Sequence, residues 1–280
     1  MKKVALINDL SSIGKCSLTA AIPILSCMGV QACPLPTAIL TNQTDYGEFF
    51  MEDFSGRVAE YTAHWQRLGI RFDGIYTGFM TGGRELDEIS SFIEAFRRED
   101  TFLLVDPVMG DNGALYGVYD CAYCEKMKRF IRKADVITPN LFELCLLTDH
   151  DYEAVRGAPD CLRAAACAAK KLLSARVKAI VVTGIKANGQ MNNVLVTHEE
   201  TTVVHTRLVP GSFSGTGDIF SSIICACMSK NIPMQKAVRF AAYFVSEMAQ
   251  LSYEENTDPR EGVRFEHFLP IMRMELDECE

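Results

Sequence analysis

The sequence predicts an α/β protein built on a doubly wound, mostly parallel sheet. Two observations carry this expectation. Apolar runs of strand type alternate with stretches of helical spacing, and polar signatures follow the strand ends. That alternation favours right-handed crossovers and gathers ligand-binding groups outside the carboxyl ends of the strands. Residues 9, 78, 106, 111, 138, 183 and 215–218 then share one rim.

The elements follow in chain order. Val4-Ala5-Leu6-Ile7 reads as a buried strand ending at the polar Asn8-Asp9. Lys15 to Met28 has helical spacing, with Pro23 bending the helix or shifting its start. Val30 to Pro36 is extended. Pro36 to Phe50, polar and aromatic, is expected to form short strands leaving the sheet as a lid over a substrate. Val58–Leu68 and Leu86–Phe96 read as helices around a Gly74–Gly78 strand and turn. The buried strand Thr101–Val105 delivers Asp106-Pro107-Val108-Met109-Gly110-Asp111 as a rigid polar loop. Tyr123–Ile131 is helical, Asp135–Ile137 a short strand, and Thr138–Glu143 starts another helix. Leu162–Leu173 is an amphipathic helix and Lys178–Thr183 a buried strand. Asn188-Gly189 signals a turn, and Asn193–Thr197 and Thr201–Leu208 read as antiparallel strands at a sheet edge. Helices over 217–229, 233–251 and Phe265–Met274 complete the chain. Without repeats or linkers, residues 1–280 read as one domain with a lid near 36–50.

Composition narrows the function classes. The chain has 280 residues, 48% hydrophobic and 23% charged, as an ordinary globular protein does. A net charge of −8 supplies no basic footprint for nucleic acid or an anionic membrane. No apolar run is long enough to span a bilayer, and the N-terminal apolar run is too short for a signal-peptide core. Eleven scattered cysteines, several in apolar runs, fit a reduced cytoplasmic setting. Cys121-x-x-Cys124 has metal spacing, but no second Cys/His pair accompanies it. Gly14-Lys15 invites a P-loop reading that fails, because Asp9 and Cys16 stand where glycine and Ser/Thr are required.

The chemistry centres on the glycine-rich turn Gly211-Ser212-Phe213-Ser214-Gly215-Thr216-Gly217-Asp218, which runs into the apolar helical pattern Ile219, Phe220, Ile223, Ile224, Cys227. Converging backbone N–H groups and a helix N-terminus make an anion site. Asp218 beside it suits phosphoryl transfer to an alcohol, orienting the hydroxyl and capturing its proton late. The plainer reading is a loop closed by an Asp N-cap. Asp106, Asp111 and Glu143 offer hard oxygen ligands for Mg²⁺; Asp106 and Glu143 equally suit carboxylates that only cap. Thr183 can reach a phosphate or be an ordinary strand residue. No Gly-x-Ser-x-Gly or Cys/His arrangement points to a nucleophilic hydrolase.

Together, Gly215-Thr216-Gly217-Asp218, the Asp106–Asp111 loop and Thr138-Pro139-Asn140-Leu141-Phe142-Glu143 resemble the ribokinase-like superfamily, and within it the pyridoxal (vitamin B6) kinases. Leu35 to Gly47 is similar to that family's substrate lid, where Ser-Asn-His-Thr-x-Tyr-Gly is usual. The resemblance runs from Val4 to about Gln250. It implies a three-layer αβα sandwich binding ATP and Mg²⁺, and a monovalent cation in some members. It also implies a homodimer that phosphorylates the 5′-hydroxymethyl of pyridoxal, pyridoxamine or pyridoxine. Asp218 matches the catalytic Asp, and Gly215, Thr216 and Gly217 the anion hole. Asp106, Thr138 and Glu143 match positions for metal and ATP phosphates, Thr183 an ATP-binding strand end, and Val209 the passage beside the nucleotide. Thr44 matches a substrate contact. Phe79 stands where a Tyr often stacks on the ring, and Asp9 where a Ser contacts it. Asp9 therefore bears on the choice between pyridoxal and pyridoxamine. Alternative readings are a hydroxymethylpyrimidine kinase, in which Gly-Thr-Gly-Cys is common, a sugar or nucleoside kinase, and a non-catalytic vitamin-binding protein on the same fold.

Overall fold

The computed structural model describes residues 1–273. The first third comprises β1 (Lys3–Ser11), α1 (Ser17–Cys27), β2 (Gln31–Leu40), β3 (Met51–Asp53), α2 (Val58–Arg67), β4 (Gly74–Thr77) and α3 (Gly83–Phe96). The middle holds β5 (Phe102–Val105), a small hairpin of β6 (Gly110–Asp111) and β7 (Ala114–Leu115), α4 (Cys121–Phe130), β8 (Val136–Ile137), α5 (Leu141–Thr148), α6 (Tyr152–Arg156) and α7 (Cys161–Lys170). Then come β9 (Ala179–Ala187), β10 (Gln190–Thr197), β11 (Thr201–Arg207), α8 (Thr216–Ser229) and α9 (Met234–Glu254).

Nine strands form one sheet in the order β11-β10-β9-β8-β5-β4-β1-β2-β3. The six from β9 to β2 are parallel, and β3, β10 and β11 pair antiparallel at the two edges. This is the mostly parallel sheet and edge extension expected from the alternation of elements. Strand alternation sends Ala5 and Ile7 into one apolar layer, with Leu86, Ile89 and Phe92 of α3 and Met127 of α4. Val4 and Leu6 enter the other, with Leu18 of α1, Ile223 and Ile224 of α8 and Phe244 of α9. Both faces are therefore covered, as the parallel strands require. Among the described residues there is no disulfide and no helix long and apolar enough to cross a membrane.

Several boundaries differ from the sequence expectation for local reasons. β1 continues to Ser11 because β2 pairs with it beyond an irregularity, where Asn8 opposes Pro36 but Leu10 opposes Ile39. β2 thus carries one extra residue opposite Asp9, a β-bulge that re-aims side chains at the strand end. The stretch expected to leave the sheet from Pro36 instead stays in it to Leu40, and the returning strand is β3. Helix α1 begins at Ser17 and takes Pro23 inside. β9 does not stop at Thr183. It bridges Asn140 there and runs on to Ala187 because β10 supplies partners after the parallel neighbour ends. The Asn188-Gly189 turn forms as expected, with both residues at positive φ. The β6–β7 hairpin and α6 carry no counterpart in the sequence reading. Of the expected Phe265–Met274 helix, a 3-10 turn stands at Phe265–His267 and residues 269–273 are helical, while Met274 lies outside the described residues.

Candidate active site

The anion turn forms because Gly215 has no side chain. Its φ is +75°, and a Cβ there would meet the Lys15 carbonyl oxygen at 2.0 Å. The turn therefore presses against the start of α1 and opens α8 at Thr216 with no side-chain cap. Among the described residues no backbone carbonyl accepts from the N–H groups of Thr216, Gly217 or Asp218. These are the orphan donors that an anion takes. Thr216 Oγ1 donates instead to Phe213 O at 3.2 Å, which braces the turn from behind.

Asp218, in the first turn of α8, meets the end of β1. Asn8 Nδ2 donates to Asp218 Oδ1 at 3.1 Å, while Asn8 Oδ1 accepts the Phe79 N–H at 2.7 Å and the Asp9 N–H at 3.1 Å. Asn8 is 2% exposed, and a Cβ on Gly78 would lie 2.4 Å from its amide nitrogen, so Gly78 leaves room for it. Burial raises Asp218 from 3.8 to about 6, against the Ser17 backbone N–H and the Asn8 amide, which favour the anion. Ser17 holds φ +49°, a left-handed conformation uncommon for serine, at the start of α1. Asn8 was missed by sequence reasoning; its only signal was a polar residue at a strand end.

Asp106, at the end of β5, is buried. Its Oδ2 accepts from Ser221 Oγ at 3.0 Å, and Ser221 Oγ shares a 2.9 Å hydrogen bond with Thr138 Oγ1. Ser221 lies one turn beyond Asp218, so α8 contributes both residues from one face. Sequence reasoning missed it as well, since a serine inside a helix carries no signal. Burial, and then the charge of Asp218, raise the Asp106 carboxyl. Glu143 is buried too, but its oxygens serve the backbone. Oε1 accepts from Met109 N at 3.0 Å and Oε2 from Asn140 N at 2.9 Å. With Asn140 Oδ1 accepting from Glu143 N, this is a capping box that also pins the 106–111 loop. Asp111 stands on the hairpin, its two oxygens taken by Asn112.

The remaining predicted residues spread along the same rim and into its surroundings. Asp9 is buried, accepts from Ser11 Oγ at 2.9 Å, and is raised by burial. Phe79 is half-buried, 5.8 Å from the Tyr119 ring, with its carbonyl accepting from Thr37 Oγ1. Thr44 is exposed at the start of a 3-10 turn, Thr44–Tyr46, capped by Gln43. Thr183 is half-buried where the parallel part of β9 ends, and Val209 is packed into the α1–α8 apolar layer. Lys15, the would-be P-loop lysine, pairs with Glu266 at 2.9 Å.

The donor set suits a hard divalent cation. Asp106 and Glu143 are buried carboxylates, and the charge of Asp106 adds to the burial that raises Glu143, an opposition that a cation beside Asp106 would relieve. Among the described residues no three His, Cys, Asp or Glu groups converge into a closed cage. A Mg²⁺ held here would keep waters and take ligand oxygens, as that ion prefers.

Known proteins share this fold and part of this sequence. Residues 16–261 match the family model described as phosphomethylpyrimidine kinase. A candidate phosphomethylpyrimidine kinase from Bacteroides thetaiotaomicron, crystallised with pyridoxal, is 34% identical, with a TM-score of 0.87 over 97% of this chain and 95% of its own. The pyridoxal kinase of Lactobacillus plantarum is 28% identical, with a TM-score of 0.89 over 99% and 98%. A pyridoxine/pyridoxal/pyridoxamine kinase of Bordetella pertussis is 25% identical over 86% of each chain. The family match spans the rim from α1 to the loop beyond α9 and so takes in Asp106, the capping box and the anion turn; the chain belongs to the phosphomethylpyrimidine kinase family.

Proposed function

We propose that the protein transfers the γ-phosphoryl group of ATP to the 5′-hydroxymethyl group of a B6 vitamer. One observation carries the reading: the Asn8 amide joins Asp218 to the Phe79 backbone, so the proton acceptor and the ring platform are fixed as one unit. The names of the Lactobacillus and Bordetella relatives, and pyridoxal in the Bacteroides crystal, support the substrate class.

In this scheme the pyridine ring lies on Phe79, with Asp9 and Thr44 toward its polar edge. Asp218, ionised above about pH 6, accepts a hydrogen bond from the alcohol and takes its proton as the new P–O bond forms. The N–H groups of residues 216–218 receive the charge on the transferring phosphoryl oxygens. Thr138, Thr183 and Val209 flank the nucleotide. Mg²⁺, when bound at Asp106 with its waters, supplies positive charge against the phosphates. Asp106 is held for that purpose by Ser221, and the 106–111 loop by Glu143.

A second reading, phosphorylation of a hydroxymethylpyrimidine, is favoured by the description of the family model. One panel separates the two. Purified protein with ATP and Mg²⁺ is assayed against pyridoxal, pyridoxamine, pyridoxine and hydroxymethylpyrimidine, scored by kcat/KM. A B6 vitamer should give the highest value, and Asp218→Asn should lower kcat by roughly 10²- to 10⁴-fold while vitamin binding persists. Preference for the pyrimidine would favour the second reading, and binding without turnover of any compound would overturn kinase function.

A further inference from the structure

The loop at residues 258–262, beyond α9, touches three separate segments of the site. Ser214 N, in the anion turn, donates to Pro259 O at 3.0 Å, and Lys15 N, before α1, donates to Glu261 O at 3.1 Å. Gln43, at the base of the lid turn, donates from Nε2 to Arg260 O at 3.1 Å. Gln43 is 6% exposed. Its Oε1 accepts from Asp45 N at 2.8 Å and its own N–H donates to Ile13 O at 2.8 Å. The lid turn is therefore tied at its root to the same loop that holds the anion turn.

Arg260 makes a second tie. Its guanidinium is oriented by both oxygens of Asp258, at 2.6 to 3.2 Å, and its Cζ sits over the Tyr46 ring, 4.8 Å from the centroid. Pairing in the guanidinium plane leaves the face free to stack, which a lysine cannot reproduce. Tyr46 closes the 3-10 turn that Thr44 begins, and Gly47 follows at φ +85°, where an added Cβ would meet nothing within 4 Å.

We propose that Arg260 is a positioning residue for the vitamin substrate. Through Tyr46 and Gln43 it clasps the Thr44–Tyr46 turn over the acceptor pocket and sets its distance from the anion turn. The proposal rests on the B6 kinase reading.

Arg260→Ala is expected to raise KM for the preferred vitamer roughly three- to tenfold, with KM for ATP within about twofold and Tm unchanged within about 2 °C. Arg260→Lys should fall between. Tyr46→Ala should match Arg260→Ala, the double variant should be no worse than either, and Tyr46→Phe should behave as the parent. Hydrogen exchange at residues 43–47 should quicken in Arg260→Ala and stay unchanged in the helical part of α8. Additive losses in the double variant, an equal rise in KM for ATP, or unaltered exchange at 43–47 would overturn the clasp. Failure of the parent protein to phosphorylate any vitamer would instead overturn the function on which it rests, and the exchange measurement would still judge the clasp.

Discussion

Asn8 Nδ2 stabilises the anion of Asp218, whereas burial opposes it, and the balance leaves that carboxyl at about 6 rather than 3.8. Activity that needs the ionised form should fall with decreasing pH below about 6, visible as an acid limb in kcat/KM. Removing the donor in Asn8→Ala should move that limb to higher pH and lower kcat roughly 10- to 100-fold. It also orphans the Phe79 N–H, at a cost of about 1–3 kcal/mol. An acid limb that stays in place would show that Asn8 does not tune Asp218. Stability follows with a fixed sign. Between pH 3.8 and about 6 the native state binds this proton more tightly than the unfolded chain, so its contribution to stability falls as pH rises through that window. Asp218→Asn should therefore have a higher Tm than the parent at pH 8, and the gain should shrink toward pH 4.

Helix α8 and its leading turn act as one element, since Gly215 fixes the entry and the first two turns present Asp218 and Ser221 together. A methyl at Gly215 would collide with backbone at Lys15, and the turn would have to move off α1. Gly215→Ala should cost about 1–3 kcal/mol and lower kcat/KM by roughly 100-fold or more, because misplacement of the N–H groups is felt by the transferring phosphoryl. Gly217→Ala, where a Cβ meets nothing within 4 Å, should leave Tm unchanged. Equal Tm losses in the two variants would refute the steric argument. This element was legible in sequence because its signal is local: glycines, small polar residues, then an apolar helical period. The Asp106 loop was legible for the same reason. Asn8 and Ser221 were not, because each gains its meaning from partners 71 to 210 residues away. Glu143 was ambiguous between ligand and cap. The Asn140-x-x-Glu143 spacing was present, but only the fold shows both oxygens on backbone N–H groups. The length of β9 depended on β10, which no property of Thr183 encodes.

At the scale of the whole molecule, a chain of net charge −8 concentrates Asp9, Asp106, Glu143 and Asp218 on one rim, each raised chiefly by burial. The fold tolerates them through hydrogen bonds from Ser11, Ser221, Met109, Asn140 and Asn8 rather than through a closed metal cage. Any divalent ion should therefore matter to the reaction and not to folding, unlike a structural zinc site. Chelation with EDTA should abolish turnover while leaving Tm and the circular dichroism spectrum of the ligand-free protein unchanged, and added Mg²⁺ should restore activity. Asp106→Asn should raise the Mg²⁺ concentration for half-maximal rate at least roughly tenfold. It should not lower Tm at pH 8, because the variant removes a carboxyl whose ionised form burial and the Asp218 charge oppose. Turnover that survives chelation would remove the cation from the reaction. A Tm that collapses on chelation would mean that the rim carboxylates need a metal in order to fold. A half-maximal Mg²⁺ concentration unchanged in Asp106→Asn would place the ion elsewhere.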